Sequence, residues 1–352
     1  MSLNAETITQ AIPSYREQVG AIDCSFIPKS GKTTWGVDSF YNGSIGKSEK
    51  GLEISVISIV DIDACQGYTL SVQQTPFTER TPLEPAKPKS QKSEVLASKR
   101  VQAYLEHLKI TRPFFPSAVK YLAADSFYSK KTVVDGVVNL KLHLVSKLRI
   151  DANMRYCYTG AQKSRGARRK YDGKVDLDDL SRMDYVGEVD EELYLYSQVV
   201  WHVSLKRQIR IVYLVNTSDP KKTRVALLFS TDIKLSAESI YAYYKARFQI
   251  EFIFRDAKQF TGLCDCQSRQ ESSLDFHFNA SLTALNIAKY DQLPKQSEDD
   301  AEPVSFSMAT YKRLAFNQHL LERFISMLDF DLTLIKLHPN YQSLLQYGSL
   351  IE

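Results

Sequence analysis

The stretch YKARFQIEFIFRDAK, from Tyr244 to Lys258, spaces its charged side chains at intervals that match one face of a helix. At about 100° per residue, Arg247, Glu251, Arg255 and Lys258 fall on the same side as Tyr244. Three cations suit phosphate groups, and a carboxylate suits a metal ion. These five side chains form a polar stripe along the helix. The stripe predicts either a site for an anionic ligand or a ladder of ion pairs, from Arg247 to Glu251 and from Glu251 to Arg255.

Two further carboxylates stand in or at the end of predicted strands. Asp23 lies in VGAIDCSFI, residues 19–27, and Asp125 follows the short apolar run YLAA. A helical pattern, SEVLASKRVQAYLEHLKI, separates the two strands, and LEISVISIVDI at 52–62 is rich in β-branched residues. Strands that alternate with helices in this way predict a mixed α/β sheet.

The character of the chain changes after residue 152. Alternating strand patterns fill 153–223 and indicate a β-rich insertion, after which RVALLFSTD returns to the main sheet. The next segment predicts one continuous helix that carries the stripe, with Ser236 as its cap and Gly262 just past its end. We therefore divide the chain into a first part of the main domain at 1–152, the insertion at 153–223, the rest of the main domain at 224–291 and a helical segment at 292–352.

The spacing of the stripe carries a family resemblance. Tyr244, Arg247, Glu251 and Lys258 reproduce the pattern Y-x2-R-x3-E-x6-K, which is the signature of the insertion-sequence-four family of bacterial DDE transposases. The surrounding sequence RFQIEFIFRDAKQFTGL, followed by CQSR and FHFN, resembles the corresponding segment of this family. The segments IDCSFIPKSGK and AADSFYSKK resemble those of its first and second catalytic aspartates. The resemblance runs from about residue 20 to residue 289.

This resemblance implies a ribonuclease-H-like fold and a set of three catalytic acids. The first acid of the family lies on the first strand, the second after the fourth strand and the third on a helix, and Asp23, Asp125 and Glu251 occupy those places. Cleavage and joining of DNA are phosphoryl transfers that two Mg²⁺ ions about 4 Å apart would assist, and Mn²⁺ would substitute. By this resemblance Asp23 bridges both ions, while Asp125 and Glu251 hold one each.

The resemblance also implies DNA contacts around these acids. Arg247 and Lys258 would grip phosphates beside the scissile bond, and Tyr244 would donate to a phosphate or stack nearby. Arg255 shares the stripe but lies outside the signature, so it is either a phosphate contact or a member of the ion-pair ladder. The densest basic run is either a solvated loop or a contact to backbone phosphates; it comprises Lys163, Arg165, Arg168, Arg169 and Lys170.

One pair of acids competes with Asp23 for the role of first acid. Asp61 and Asp63, in VDIDA, also end a strong strand pattern. We interpret them as a polar strand end, because the resemblance aligns on Asp23.

Composition bounds the remaining possibilities. The chain has 352 residues, 43% of them hydrophobic and 24% charged, as in water-soluble globular proteins. Neither a signal peptide nor a run of about 18 apolar residues is present, so we expect a cytoplasmic, nucleoid-associated protein without membrane contact. The expected partners are transposon ends, target DNA and a second copy in a synaptic homodimer. Since only 22 residues precede Asp23, the alternative is a truncated, non-catalytic remnant that binds DNA or dimerises and inhibits transposition.

Overall fold

The fold is a mixed α/β arrangement of one large sheet with helices on both faces. A computed structural model describes residues 1–43, 45–75, 89–219, 221–293 and 306–349. The strands are β1 Gln18–Pro28, β2 Asp38–Asn42, β3 Lys47–Asp61, β4 Gln66–Gln74, β5 Tyr121–Ala124, β6 His143–Leu148, β7 Met154–Cys157, β8 Tyr171–Lys174, β9 Asp184–Asp190, β10 Leu193–His202, β11 Arg207–Asn216 and β12 Arg224–Ser230. The helices are α1 Ser2–Ala11, α2 Lys89–Thr111, α3 Lys131–Asn139, α4 Ala237–Ala246, α5 Gln249–Phe260, α6 Glu271–Asp291, α7 Met308–Met327, α8 Leu332–Lys336 and α9 Pro339–Leu345.

All twelve strands belong to a single sheet that is mostly antiparallel. The strand order is β2-β3-β1-β5-β6-β12-β11-β10-β7-β8, with β4 paired to β3 and β9 paired to β10. β1 pairs with β3 along its whole length, from Gln18 opposite Asp61 to Pro28 opposite Gly51. On its other side β1 runs parallel to β5, with Ile22 opposite Ala124. β1 is therefore an interior strand, held by hydrogen bonds on both edges.

Two apolar clusters fill the spaces between the sheet and its helices. On one face, Ile22 and Ile57 pack with α1, α2 and α3 through residues such as Ile8 and Leu108. On the other face, Val19 and Ala21 pack with α4, α5 and α6. Since successive side chains of a strand point to opposite faces, Asp23 continues the Val19–Ala21 face toward α4 and α5. The same period places Asp125, two residues after Ala123, on that face.

The predicted strand richness of 153–223 is confirmed, and these strands extend the same sheet. β12 closes against β6, with Leu227 opposite Leu148, and β11, β10, β7 and β8 follow outward. The view of this region as an insertion, and the other domain boundaries, stay predictions.

The predicted continuous helix is wrong at one point, because the chain breaks between α4 and α5. The predicted cap is confirmed, since the Ser236 side chain accepts from the backbone N–H of Ser239. The helix ends at Ala246, and α5 begins at Gln249 after a tightened turn in which the Phe248 N–H donates to the Lys245 carbonyl. Gly262 follows α5 with a positive φ of 73°, as the stop signal predicted.

Among the described residues, no helix is both long and apolar enough to cross a membrane.

Candidate active site

The two predicted strand-borne acids lie side by side on neighbouring parallel strands, Asp23 in the middle of β1 and Asp125 directly after β5. Ile22 and Ala124 are partners in the β1–β5 register, so the next residues, Asp23 and Asp125, continue the same row. Neighbouring strands stand about 4.8 Å apart, which brings two carboxylates that are 102 positions apart in the sequence onto one edge of one face. The sheet therefore sets their juxtaposition.

Local hydrogen bonds fix the orientation of both carboxylates. Asp23 Oδ1 accepts the backbone N–H of Cys24 at 2.8 Å. Asp125 caps a 3₁₀ turn at Ser126–Tyr128, because its Oδ1 accepts the N–H of Phe127 at 2.9 Å. The Ser146 hydroxyl on β6 donates to the Asp125 carbonyl at 2.8 Å, which anchors the backbone at the same point.

Arg247 connects the third acid to the first. Its Nη1 donates to Asp23 Oδ2 at 3.2 Å and its Nη2 donates to Glu251 Oε1 at 3.0 Å. The Asp23 and Glu251 carboxylates thus stand on either side of one guanidinium group. The Arg247 side chain is 7% exposed, whereas Glu251 is 47% exposed and faces solvent at the start of α5.

The electrostatics of the site show that Asp23 senses the charges of both other acids. Burial, followed by the negative charge of Asp125, raises the pKa of Asp23 to about 7, and Glu251 contributes in the same direction. Burial also raises the pKa of Asp125, while the backbone N–H of Phe127 and the charge of Arg247 oppose that rise. A buried carboxylate whose pKa is raised by burial and by neighbouring carboxylates is a common mark of a functional site.

The donor set fits hard divalent cations, although its arrangement here is closed by Arg247. Carboxylate oxygens are the ligands that Mg²⁺ and Mn²⁺ prefer. Within the described ranges, no three His, Cys, Asp or Glu side chains are arranged to hold an ion together. The Arg247 guanidinium instead supplies the positive charge between Asp23 and Glu251.

Comparison with known proteins identifies the family. The sequence signature of a DDE transposase family described as "archaeal putative transposase ISC1217" matches residues 29–280. The chain belongs to the DDE transposases. This match spans more than two thirds of the chain and includes Asp125 and Glu251, while Asp23 lies just before it. No curated protein matches the chain.

The other stripe residues of the transposase differ in their contacts and burial. The Tyr244 ring lies 5.6 Å from the Arg247 guanidinium, and burial raises the pKa of its hydroxyl. Lys258 is half-buried beside Cys264, and burial lowers the pKa of its ammonium group. Arg255 pairs with Asp256 at 2.9 Å. The predicted ion-pair ladder is therefore present from Arg247 to Glu251, while Arg255 makes its ion pair with Asp256.

The basic run of the transposase lies far from the acids. All five of its residues are exposed in the loop between β7 and β8, and Arg169 forms an ion pair with Asp172. In the strand order, β8 is seven positions from β1, which corresponds to roughly 34 Å along the sheet. The structure thus places the predicted basic contacts and the predicted acids at separate positions along one sheet.

The competing acids Asp61 and Asp63 lie beside the start of β1, whereas Asp23 lies in the middle of that strand. Asp61 stands opposite Gln18, five pairs from Asp23, and forms a 3.0 Å ion pair with Arg16. Asp63 accepts the backbone N–H of Glu17 at 3.1 Å. Both are committed to local structure away from Asp125, as our interpretation of a polar strand end requires.

Sequence reasoning missed several neighbours of the acids. Lys130 lies near enough to lower the pKa of Asp125, and its ammonium stands 3.8 Å from the centre of the Phe127 ring. Phe248, 46% exposed, has the Arg247 guanidinium 4.7 Å from its ring centre. Phe248 lies in the break between α4 and α5, which the predicted continuous helix did not contain.

Proposed function

We propose that this chain is the catalytic part of a cut-and-paste DNA transposase of the insertion-sequence-four type. It would cleave DNA strands at transposon ends and transfer them to target DNA in a Mg²⁺-dependent reaction. The observation that supports this best is the convergence of Asp23, Asp125 and Glu251 on one face of a sheet that resembles that of ribonuclease H. A structural protein has little reason to place three acids together where burial raises the pKa of two of them.

Each acid has a distinct part in this proposal. Asp23 and Asp125, which are fixed by their strands, would bind the ions from the sheet. Glu251 would complete the set of ligands from α5. Two Mg²⁺ ions, or Mn²⁺ in their place, would stabilise charge on the attacking and leaving oxygens of the phosphoryl group. Asp23 must give up its proton to act as a ligand, so its raised pKa makes the site sensitive to pH near neutrality.

Arg247 holds the cluster together before an ion arrives. Its guanidinium bonds to both Asp23 and Glu251, and moving it toward a DNA phosphate would free both carboxylates. Tyr244 in the last turn of α4 and Lys258 in the last turn of α5 would act as phosphate contacts, and Arg255 would join them by leaving Asp256. The same proposal gives the chain its DNA partners and a nucleoid-associated location.

The basic run extends the proposed DNA path. At roughly 3.4 Å per base pair, about 34 Å corresponds to one turn of duplex. If one end of a duplex lay at the acids and the duplex followed the sheet, its backbone would pass near β8 one turn later. Lys163, Arg165 and Arg168 are exposed there.

The C-terminal helices supply a surface for the proposed homodimer. On α7, Phe316, Leu320, Phe324 and Met327 follow an i, i+4, i+8, i+11 spacing on one face and are 54–74% exposed. With six further exposed apolar residues between 328 and 347, this leaves roughly 1,200 Å² of apolar surface. A standard interface buries about 800 Å² per partner, so a second copy is an occupant of suitable size.

The Phe324→Asp variant is expected to be monomeric, whereas the unaltered chain forms dimers. A carboxylate in the middle of the apolar face would have to be buried without a partner. Light scattering after size-exclusion chromatography measures the mass of both proteins, with Phe276→Asp on α6 as a control at an exposed position outside this face. A monomeric unaltered chain, or a dimeric Phe324→Asp protein, would refute this interface.

The proposed activity is tested with DNA taken from either side of the gene. Labelled duplexes of these flanks, incubated with the full chain and Mg²⁺, are expected to yield strand breaks at a fixed position and, with target plasmid, joined products. Chelation by EDTA should stop both reactions. DNA binding or dimerisation without any metal-dependent cutting would instead support the inhibitory remnant.

A further inference from the structure

Helix α5, which carries Glu251, rests directly on the backbone of β4 at Gly67. A Cβ atom at position 67 would lie 3.0 Å from the Cβ of Gln249 and 3.2 Å from the Cδ1 of Ile253, which is closer than most real contacts of a Cβ atom. Gln249 and Ile253 are one turn apart on α5, and Glu251 lies between them in the sequence. The glycine therefore permits the short distance at which α5 packs on the sheet.

Glu251 lies on the opposite side of α5 from this contact. At about 100° per residue, Glu251 stands roughly 160° around the helix from both Gln249 and Ile253. Its carboxylate is on the side that reaches Arg247, whose guanidinium also bonds to Asp23. Because a helix is stiff over a single turn, a displacement of α5 at Gly67 would move Glu251 by a similar amount.

The strand side of the contact is held from two directions. β4 pairs with β3 along its length, and Gly67 lies opposite Val60. From α6, the buried Lys289 ammonium donates to the Gly67 carbonyl at 2.5 Å. The Asn286 side chain donates to the Thr69 carbonyl at 2.6 Å and accepts the Thr69 N–H at 2.9 Å. Side chains of α6 thus take the place of a neighbouring strand along this part of β4, which leaves α5 as the partner that can move.

The charge of Lys289 connects the three elements. Burial lowers the pKa of its ammonium to about 8, and the negative charge of Asp256 on α5 opposes that fall. The ammonium therefore keeps most of its charge at pH 7 and remains a donor to the Gly67 carbonyl. Lys289 accordingly bonds to β4 while it interacts with the helix that β4 supports.

We propose that Gly67 is a positioning residue for Glu251. The contact between the β4 backbone at this glycine and the first turn of α5 sets how closely Glu251 approaches Asp23 and Asp125, and Lys289 holds the strand in place from α6. This inference rests on the proposed function, because it takes Glu251 as a ligand of the metal ions. It adds residues that act only through Glu251 and leaves the chemistry to the carboxylates.

Crystal structures of the unaltered chain and of Gly67→Ala, both in EDTA, measure the contact directly. Since β4 is held by β3 and α6, the added methyl group should displace the first turn of α5, and Glu251 with it, by a few tenths of an ångström while β4 stays in place. Gly43→Ala is the matched control, because a Cβ there meets no atom within 4 Å and should leave α5 unmoved. An unmoved α5, or a displaced β4, in Gly67→Ala would overturn the proposal.

The choice of metal ion separates a displaced Glu251 from a loss of folded protein. Mg²⁺ demands nearly ideal octahedral geometry, whereas Mn²⁺ accepts less regular coordination. Gly67→Ala is expected to lower Mg²⁺-dependent cleavage of the flanking duplex about tenfold and Mn²⁺-dependent cleavage less than about threefold. A smaller folded fraction would lower both rates by the same factor, so the ratio of the two rates reports the geometry. Lys289→Met leaves the Gly67 carbonyl without its donor and should change this ratio in the same direction.

A second substitution on α5 should restore the space that the methyl group takes. Ile253→Val removes the Cδ1 atom that the new Cβ would meet at 3.2 Å. The Gly67→Ala, Ile253→Val double variant should therefore return the ratio of the Mg²⁺ and Mn²⁺ rates toward that of the unaltered chain, whereas Ile253→Val alone should leave the ratio unchanged. Two rates that fall by the same factor in Gly67→Ala, or a double variant with the ratio of Gly67→Ala, would overturn the proposal.

The positioning role and the proposed activity fail in distinguishable ways. A chain that never cuts the flanking DNA in either ion would refute the activity, and the crystal structures would still decide whether α5 moves. A chain that cuts DNA, but whose Gly67→Ala variant keeps the unaltered ratio of the two rates, would refute the positioning role alone.

Discussion

Asp125→Asn is expected to lower the rate of Mg²⁺-dependent strand cleavage at least about a thousandfold, or roughly 4 kcal/mol in activation free energy. The variant removes one charged ligand of the proposed ions. The fold should persist, because the Asn side-chain oxygen can still accept the N–H of Phe127 and cap the same turn. Cleavage of the labelled flanking duplex, measured under single-turnover conditions, gives the rate.

The controls for this variant are already present in the chain. Glu251→Gln should lose cleavage to a similar extent, since it removes the proposed ligand on α5. Asp63→Asn changes an exposed acid beside the start of β1, away from Asp23 and Asp125, and should cleave normally. In EDTA, Asp125→Asn should bind duplex as tightly as the unaltered chain or slightly more so, because a negative charge near the phosphates is gone. Cleavage within tenfold of normal in Asp125→Asn would refute the assignment.

Asp23→Asn is expected to stabilise the metal-free protein at pH 8 while abolishing activity. The folded pKa of Asp23, about 7, exceeds the ordinary value of 3.8, so the folded chain binds a proton that the unfolded chain has released. Stability therefore falls as pH rises between about 4 and 7 and stays low above that window. The full difference corresponds to roughly 4 kcal/mol, and partial exposure with the Arg247 contact reduces the expected gain to about 2 kcal/mol.

Urea unfolding of both proteins in EDTA at pH 4 and pH 8 measures this effect. Asp23→Asn should exceed the unaltered chain at pH 8 and match it at pH 4. Asp135→Asn is a control of opposite sign, because Lys131 and Arg207 lower the pKa of Asp135 and that variant should lose stability at pH 8. An Asp23→Asn protein that is less stable than the unaltered chain at pH 8 would contradict the view of Asp23 as a buried, poorly compensated acid.

Local patterns predicted much of the frame that carries the acids. The β-branched run at 52–62 and the apolar run before Asp125 form β3 and β5, and Ser236 and Gly262 mark the limits of α4 and α5. These signals depend on side chains close in sequence, such as a hydroxyl that bonds an N–H three residues on. The resemblance to the DDE transposases supplied the grouping of the acids, which no local pattern contains.

The remaining features of the site depend on contacts between residues that are distant in the sequence or on choices among several possible partners. The helical pattern runs unbroken through Arg247, yet that residue bonds to Asp23, 224 positions away, and the helix breaks there. Arg255 forms its ion pair with its immediate neighbour Asp256 and not with Glu251, and helical spacing does not predict this. The distance of the basic run from the acids depends on the order in which strands pair, and strand order is not a local property.

The continuity of the sheet has a consequence for where the DNA would be cut. β1 and β8 belong to one hydrogen-bonded sheet. The distance between Asp23 and the β7–β8 loop is therefore set by the number of strands between them. Lengthening or trimming that loop would then change how firmly the duplex is gripped, while the position of the break stayed the same to the nucleotide.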